Sequence, residues 1–447
     1  MHLDLNAEFK KALNHMEDGD GHLFITGRAG TGKSSLLTYF RTNTLKNLVV
    51  LAPTGVAALN VQGQTIHSFF GFPPQISPEQ ARKEHPFDKM KTLIQKLELI
   101  IIDEASMLRA DLLDCIDQAL RRYGNKDKPF GGKRLVLVGD LYQLPPVVNR
   151  EEQKTFCETY TSPYFFDAKV FSETILHIHE LSKIYRQNED DFIELLNHVR
   201  ENSVTWDHIR DLNRRTDPEY ISYRKNNEIT LSTTNASANE INRKQLKNLK
   251  GKTIRLEGKT SGDFQRQLPT EEQLELKVGA QVMMVNNDSA KRWVNGSMGT
   301  ITGFGWNEEE ECNVLLVTLS DGKRAEVLPY TWESNQYFFD PESQSIEMES
   351  LGSFTQYPIR LAWAVTIHKS QGKTFDNVIV DIGRGTFAHG QVYVALSRCS
   401  SFEGLILRKP IEKKHIWSDR RIHQFMTTNN PRLSPLKITN QQPETRN

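Results

Sequence analysis

The sequence predicts an α/β protein with two similar αβ halves and a small β-barrel inserted into the second. Three observations carry that expectation. Continuous apolar runs at Leu23-Phe24-Ile25, Leu48-Val49-Val50-Leu51, Leu99-Ile100-Ile101-Ile102 and Leu135-Val136-Leu137-Val138 read as strands buried on both faces, as in parallel sheets. The pattern resumes at 229–231 and again, far downstream, at 377–382 and 404–407. Between these lie short β runs at 281–285, 298–302, 312–319 and 323–328, with Ser320-Asp321-Gly322 as a hairpin turn.

Taken in order, residues 5–16 read as a helix with Leu5, Phe9, Leu13 and Met16 on one face. The first strand runs into Gly27-Arg28-Ala29-Gly30-Thr31-Gly32-Lys33-Ser34-Ser35, which fits G-x-x-x-x-G-K-[ST] between a strand and a helix. Gly27, Gly30 and Gly32 let backbone N–H groups turn toward phosphate oxygens, and the following helix adds its N-terminal dipole. Lys33 is a point charge for β/γ-phosphates and Ser34 a ligand for Mg²⁺. The second strand ends in Ala52-Pro53-Thr54-Gly55, and Thr65-Ile66-His67 follows. Ligands of open α/β sheets bind at that edge, so Thr54, Thr65 and His67 are candidates for contact with a phosphate-bearing substrate. Taken alone, His67 reads first as an ordinary packed or exposed histidine.

Phe69-Phe70-Gly71-Phe72-Pro73-Pro74 breaks the βα rhythm and opens an excursion to about residue 97. Its aromatics could stack on bases or cap the excursion's own small core. The third strand ends in Asp103-Glu104, placing Asp103 beside the Mg²⁺ of Ser34 and Glu104 where it takes a proton from an attacking water. After the fourth comes Gly139-Asp140-Leu141-Tyr142-Gln143, with Gln143 as a γ-phosphate sensor. Residues 173–179 read as a further strand, and Arg186 in Ile184-Tyr185-Arg186-Gln187 is a candidate arginine finger.

In the inserted barrel, Lys291-Arg292-Trp293 could hold a nucleic-acid backbone or form a solvated loop. Residues 364–374 read as a polar helix end with a close-approach Gly372, and 390–398 as a helix ending in Arg398, the second finger candidate. Both arginines are assigned to the far half, reaching the γ-phosphate when the halves close.

Composition sets outer bounds. The 447 residues, 38% hydrophobic, suffice for several cores. Lys plus Arg equals Asp plus Glu at 56 each, so a nucleic-acid partner must be held by local basic surfaces. Cys115, Cys157, Cys312 and Cys399 are far apart, arguing against a zinc site and a disulfide framework. With no membrane-length apolar run and no signal-peptide pattern, the expectation is an intracellular protein: cytoplasm or nucleoid in a bacterium, nucleus or mitochondrion in a eukaryote.

The ordered set GRAGTGKSS, APTGVAA with TIHSFF, IIDEASML, VGDLYQLPPV, IYRQ, VTIHKSQGKTFDNV and VYVALSRC resembles the petite-integration-frequency (Pif-type) DNA helicases of superfamily one's RecD-like branch, from about residue 5 to 407. The resemblance implies two RecA-like domains, 1–183 and 184–250 with 355–427. It adds a wedge insertion at about 69–97, an SH3-like insertion at 251–354 and a disordered tail at 428–447. Ala29, Gly30, Thr31, Lys33, Ser34, Ser35, Asp103, Glu104, Gln143, Arg186 and Arg398 would form the ATP and Mg²⁺ site, with Gln371 and Gly372 beside it. Thr54, His67, Thr366, His368 and Lys369 would line a single-stranded DNA path, and Pro53, Thr65, Phe72, Lys291 and Arg292 are further candidates for DNA contact. The family implies 5′-to-3′ translocation by a protein monomeric without DNA. Its substrates would be forked or tailed duplexes, DNA–RNA hybrids and G-quadruplexes, in repair, recombination or telomere maintenance. One departure is that Asn6-Ala7-Glu8-Phe9 offers no glutamine to read adenine. The rival from another class is an ATP-gated clamp on single strands that never separates a duplex.

Overall fold

A computed structural model describes residues 5–83, 88–187, 189–220, 228–264, 268–383, 385–386 and 388–429. The first lobe is a six-stranded, all-parallel sheet. Its strands are β1 (His22–Gly27), β2 (Leu48–Ala52), β3 (Gln64–Thr65), β4 (Leu99–Ile102), β5 (Arg134–Val138) and β6 (Leu176–Leu181), ordered β3-β2-β4-β5-β1-β6. Every residue of β1 and β4 is buried, as their unbroken apolar runs require. On one face lie α1 (Ala7–Asp18), capped by the Asn6 side chain, and α2 (Lys33–Asn43). The rest of this lobe's helices are α3 (Gly55–Asn60), α4 (Ile66–Phe70), α5 (Pro78–Lys83), α6 (Asp88–Lys96), α7 (Ala110–Tyr123) and α8 (Arg150–Thr159).

The excursion after α4 has no core of its own. Phe69 and Phe70 are 1% and 2% exposed and join Leu93, Ile94 and Leu97 in the core of the first sheet. Phe72 is half-buried and stacks on Phe70, ring centroids 5.1 Å apart.

The second lobe contains α9 (Asp190–Arg200), α10 (Trp206–Asn213), β7 (Ile229–Ser232) and α11 (Asn235–Asn248). The chain then leaves through β8 (Ile254–Glu257), β9 (Lys259–Gly262), β10 (Gln273–Leu276), β11 (Gln281–Met284), β12 (Met298–Asn307), β13 (Cys312–Leu319), β14 (Arg324–Val327), β15 (Tyr330–Asp340), β16 (Ser345–Gln356) and β17 (Ile359–Leu361). It returns by β18 (Ala364–Thr366), β19 (Val378–Asp381), α12 (Gln391–Leu396) and β20 (Leu405–Leu407), completing a parallel sheet ordered β18-β7-β19-β20. Residues 364–366 are therefore a strand and not a helix end: Ala364 and Val365 are buried, and β18 pairs with β7.

Strands β14-β13-β12-β11-β17 form an antiparallel sheet around its own core. The long β15–β16 hairpin, absent from the sequence expectation, reaches back to the first lobe, where Tyr337 enters the core. A last helix, α13 (Arg420–Asn429), also packs Ile422 and Met426 on the first sheet's core, although 355–427 was expected within the second half. The expected tail lies outside the described residues from 430 on; Thr428 and Asn429 belong to α13.

Candidate nucleotide and strand-binding site

The C-terminal ends of β1, β4 and β5 open on a cleft between the lobes, with a cavity of about 310 Å³. The first lobe brings Ala29, Gly30, Thr31, Gly32, Lys33, Ser34, Ser35, Asp103, Glu104 and Gln143 to its wall; Gly372 and Arg398 come from the second. Gly27 turns the chain out of β1 at φ 154°. The loop is built for close approach. Gly30 has φ +83°, and a Cβ there would lie 2.5 Å from the Cβ of Arg186. Lys33 Nζ folds back on the loop, donating to Gly27 O at 2.7 Å and Arg28 O at 3.0 Å. Backbone N–H groups, an ammonium, Ser34 and a carboxylate around a cavity of this size fit a Mg²⁺-bound nucleoside triphosphate.

Charge is concentrated here. Burial, and then Asp103, push the Glu104 carboxyl up to about 7, and burial raises Asp103 as well. Glu104 also sits at φ 51°, a left-handed conformation that costs a non-glycine residue stability and recurs at functional sites. Arg398 is 1% exposed and, among the described residues, has no carboxylate in hydrogen-bond contact. It donates to Val394 O at 3.0 Å, Lys373 O at 3.3 Å and Ser397 Oγ at 2.8 Å. Burial, followed by Arg186, lowers it to about 9, and burial lowers Arg186 to about 10, so both stay charged at neutral pH. Two guanidinium groups and Lys33 on one cavity form an anion trap.

The assignment of Arg186 to the far half is corrected. It follows β6, an edge strand of the first sheet, and its loop is bound to the phosphate loop through Tyr185 N to Gly30 O at 2.9 Å. Arg186 Nη1 then donates to Ser397 O at 3.1 Å, so it bridges the lobes. Direct contacts join the lobes across the cleft: Tyr393 Oη accepts from Ala29 N at 2.9 Å, and Ala29 and Leu144 pack in the second lobe's core. Gln143 donates to Asp140 Oδ2 at 3.3 Å and lies 3.5 Å from the Gln371 amide, which places Gln371 behind the cavity wall.

The strand-path candidates divide among three places. Thr54 and Thr65 cap α3 and α4, accepting from Ala57 N and Ser68 N, with Pro53 half-buried before them. His67 is half-buried near Arg109 and Asp111, on a separate cavity of about 870 Å³, and burial holds its pKa down. Thr366 is buried and accepts from Lys369 N at 3.3 Å; His368 and Lys369 are half-buried at the second lobe's edge. The basic-aromatic cluster is exposed at Lys291 and Arg292 and buried at Trp293. Arg292 is clamped by both oxygens of Asp288, at 2.8 and 2.7 Å, and lies over Trp293, which is buried and donates to Asn286 Oδ1. Lys291 beside them is exposed. Asn6 spends its amide on Phe9 N and Tyr185 Oη.

Three family models match the chain: PIF1-like helicase over residues 4–208, DNA helicase Pif1, 2B domain over 264–304, and UvrD-like helicase C-terminal domain over 361–402. A Psychrobacter protein, ATP-dependent DNA helicase Pif1, is 33% identical over 454 residues, covering 89% of this chain and 67% of its own. The chain belongs to the Pif1 helicase family. Its human relative, ATP-dependent DNA helicase PIF1, is 34% identical over 393 residues, 86% of this chain, which spans 57% of that relative's length. Bacteroides Pif1 in complex with ADP-AlF4 superposes with a TM-score of 0.87 at 38% identity, covering 96% of this chain and 98% of that one. Bacteroides Pif1 bound to ssDNA, also 38% identical and covering 95% and 97%, gives 0.69. The two parallel sheets are thus the RecA-like pair of a Pif1 helicase.

Sequence reasoning gave no role to four residues of this Pif1 site. Arg200, at the end of α9, donates to Asp140 Oδ1 at 3.0 Å and lies over the Tyr142 ring; both charges are buried. Burial works against the Asp140 charge, but Arg200 and then Lys33 hold its carboxyl below the usual range. Gln187 donates to Ser397 O and Cys399 O, and Tyr393 holds Ala29. The available signal was Asp140 itself, a carboxylate at the end of an apolar strand with no local cation.

Proposed function

We propose that the chain is an ATP-dependent DNA helicase that moves 5′ to 3′ on single-stranded DNA and opens forked or tailed duplexes, with DNA–RNA hybrids and G-quadruplexes within its range. The observation that carries this reading is the composite cavity, where Arg398 of one lobe meets Lys33, Asp103 and Glu104 of the other and Arg186 spans the two. Residues 1–183 with the adjoining Arg186 loop serve as one RecA-like lobe, and the rest of 184–250 with most of 355–427 as the other.

Lys33 leaves its loop carbonyls for the terminal phosphates, and Ser34 with Asp103 would hold Mg²⁺, which neutralises charge on the phosphates when bound. Glu104 accepts a proton from the attacking water, and Gln143 orients that water. Arg186 and Arg398 stabilise the charge that develops on the transferred group, then lose their partner when phosphate departs. The lobes are thereby closed in one state and released in the next, while Pro53, Thr54, Thr65 and His67 on one side and Thr366, His368 and Lys369 on the other alternate their grip on the strand. Roles in repair, recombination or telomere maintenance, and a monomer in the absence of DNA, belong to the same reading.

Forked duplexes with a 5′ or a 3′ tail test it. With ATP and Mg²⁺, product strands should appear from the 5′-tailed fork. Hydrolysis stimulated by DNA without strand separation from either fork would instead identify a clamp, and release from the 3′-tailed fork alone would reverse the polarity.

A further inference from the structure

A third, smaller cavity of about 140 Å³ opens where α3 of the first lobe, the loop after β11 and the segment after β18 converge. Arg360, Lys369 and Lys373 line it together. Arg360 Nη2 donates to Pro269 O at 2.6 Å, while its Nε is buried without a partner among the described residues. Lys373 Nζ donates to Asn295 Oδ1, a neutral acceptor. Burial and then Arg360 depress both lysines, Lys373 to about 7, and the carboxylate that offsets this at Arg360 and Lys369 is the exposed Glu271. Three neighbouring cations with so little compensation among the described residues are costly in a folded chain unless an anion joins them. Tyr330, 41% exposed, stands on the same wall and offers a ring face to a base.

This cavity is joined to the nucleotide cleft by consecutive residues: Gly372 lines the cleft and Lys373 the cavity. The Lys373 carbonyl accepts from Arg398 Nη1 at 3.3 Å. On its other side, Lys373 is tied through Asn295 to the first lobe, because Asn295 Nδ2 donates to Asn60 Oδ1 at 3.1 Å. We propose that Arg360, Lys369 and Lys373 cradle the phosphodiester backbone of the single strand, and that Lys373 is the positioning residue through which an occupied cradle reaches Arg398. A phosphate drawing the ammonium away from Asn295 releases the Asn60 bridge and moves the carbonyl that holds the guanidinium. The inference rests on DNA-stimulated hydrolysis and adds the residues that couple the two ligands.

The test uses the full chain and an oligothymidylate. Hydrolysis is followed against DNA concentration at several salt concentrations for wild type, Lys373→Gln and Lys373→Arg. Lys373→Gln keeps a hydrogen-bond donor for Asn295 and removes the charge. It should raise the half-stimulating DNA concentration about tenfold, cut the fold-stimulation at saturation by a similar factor and flatten the salt slope by about 0.7, one phosphate contact on a single strand. Lys373→Arg should restore most of the affinity and slope. Arg360→Gln should raise the half-stimulating concentration while saturating DNA still stimulates fully. A Lys373→Gln curve that overlays a DNA-stimulated wild type would overturn the cradle and leave the motor reading intact. A wild type indifferent to DNA would overturn both.

Discussion

At the scale of single residues, the chemistry turns on charges held out of water. Arg398 is buried against backbone carbonyls beside Arg186, a costly placement that an incoming triphosphate relieves. Arg398→Ala should therefore bind nucleotide and lose roughly 10³-fold or more in DNA-stimulated kcat, the scale of an arginine finger; a kcat within tenfold of wild type would exclude that role. Glu104 makes a second prediction through its proton. Its folded-state pKa of about 7 lies above the unfolded value, so the folded chain holds the proton more tightly, and stability falls as pH rises through 7. Glu104→Gln cannot ionise. It should retain ATP binding without turnover, and melt roughly 1–3 °C above wild type at pH 8 with the difference gone near pH 5, as scanning calorimetry would register.

Among elements, the ones that bury both faces were legible and the ones that lean on distant partners were not. The apolar runs of β1, β2, β4 and β5 announce themselves within four to six residues because a two-sided core demands them. Strand β18 did not: it has three residues, and the polar His368-Lys369-Ser370 turn beyond it reads as a helix end. The β15–β16 hairpin was missed because the reason for it lies far back in the chain. Two-residue β3 covers β2 only at Leu51 and Ala52, leaving the Val50 edge unpaired by backbone there, and Tyr337 Oη accepts from Val50 N at 3.1 Å. No local pattern encodes a hydroxyl that completes a strand edge nearly three hundred residues away. Tyr337→Phe should leave the buried Val50 amide unsatisfied and lower stability by about 1–3 kcal/mol, measurable by urea denaturation, with the hairpin's amides exchanging faster than those of β1.

For the molecule as a whole, the question is which contacts hold the two lobes together. Each half of the cleft was readable alone, through the phosphate loop, Asp103-Glu104, Gln143 and Arg398. What joins them was not, since the Asp140–Arg200 pair, Gln187 with Ser397 and Ala29 with Tyr393 are contacts across long stretches of chain between residue types of no special signature. Gly390 marks how tight the closure is: a Cβ there would stand 2.4 Å from Gln143 O. Of these contacts, the Tyr393 hydroxyl is the one that competes with the ligand, because it occupies the N–H of Ala29 within the phosphate loop. A neutral hydrogen bond is worth about 1 kcal/mol, a factor of roughly five. Tyr393→Phe removes it while keeping the ring in the second core. ATP should then bind this variant a few-fold more tightly in the absence of DNA, and the lobes should open more readily. Equilibrium titration with a fluorescent ATP analogue reads the first effect. Fluorescence transfer between dyes at Leu45 and Trp206, exposed positions on the two lobes, reads the second. Weaker nucleotide binding with an unchanged interlobe distance would mean that the hydroxyl orders the phosphate loop for its ligand and does not stand in for it.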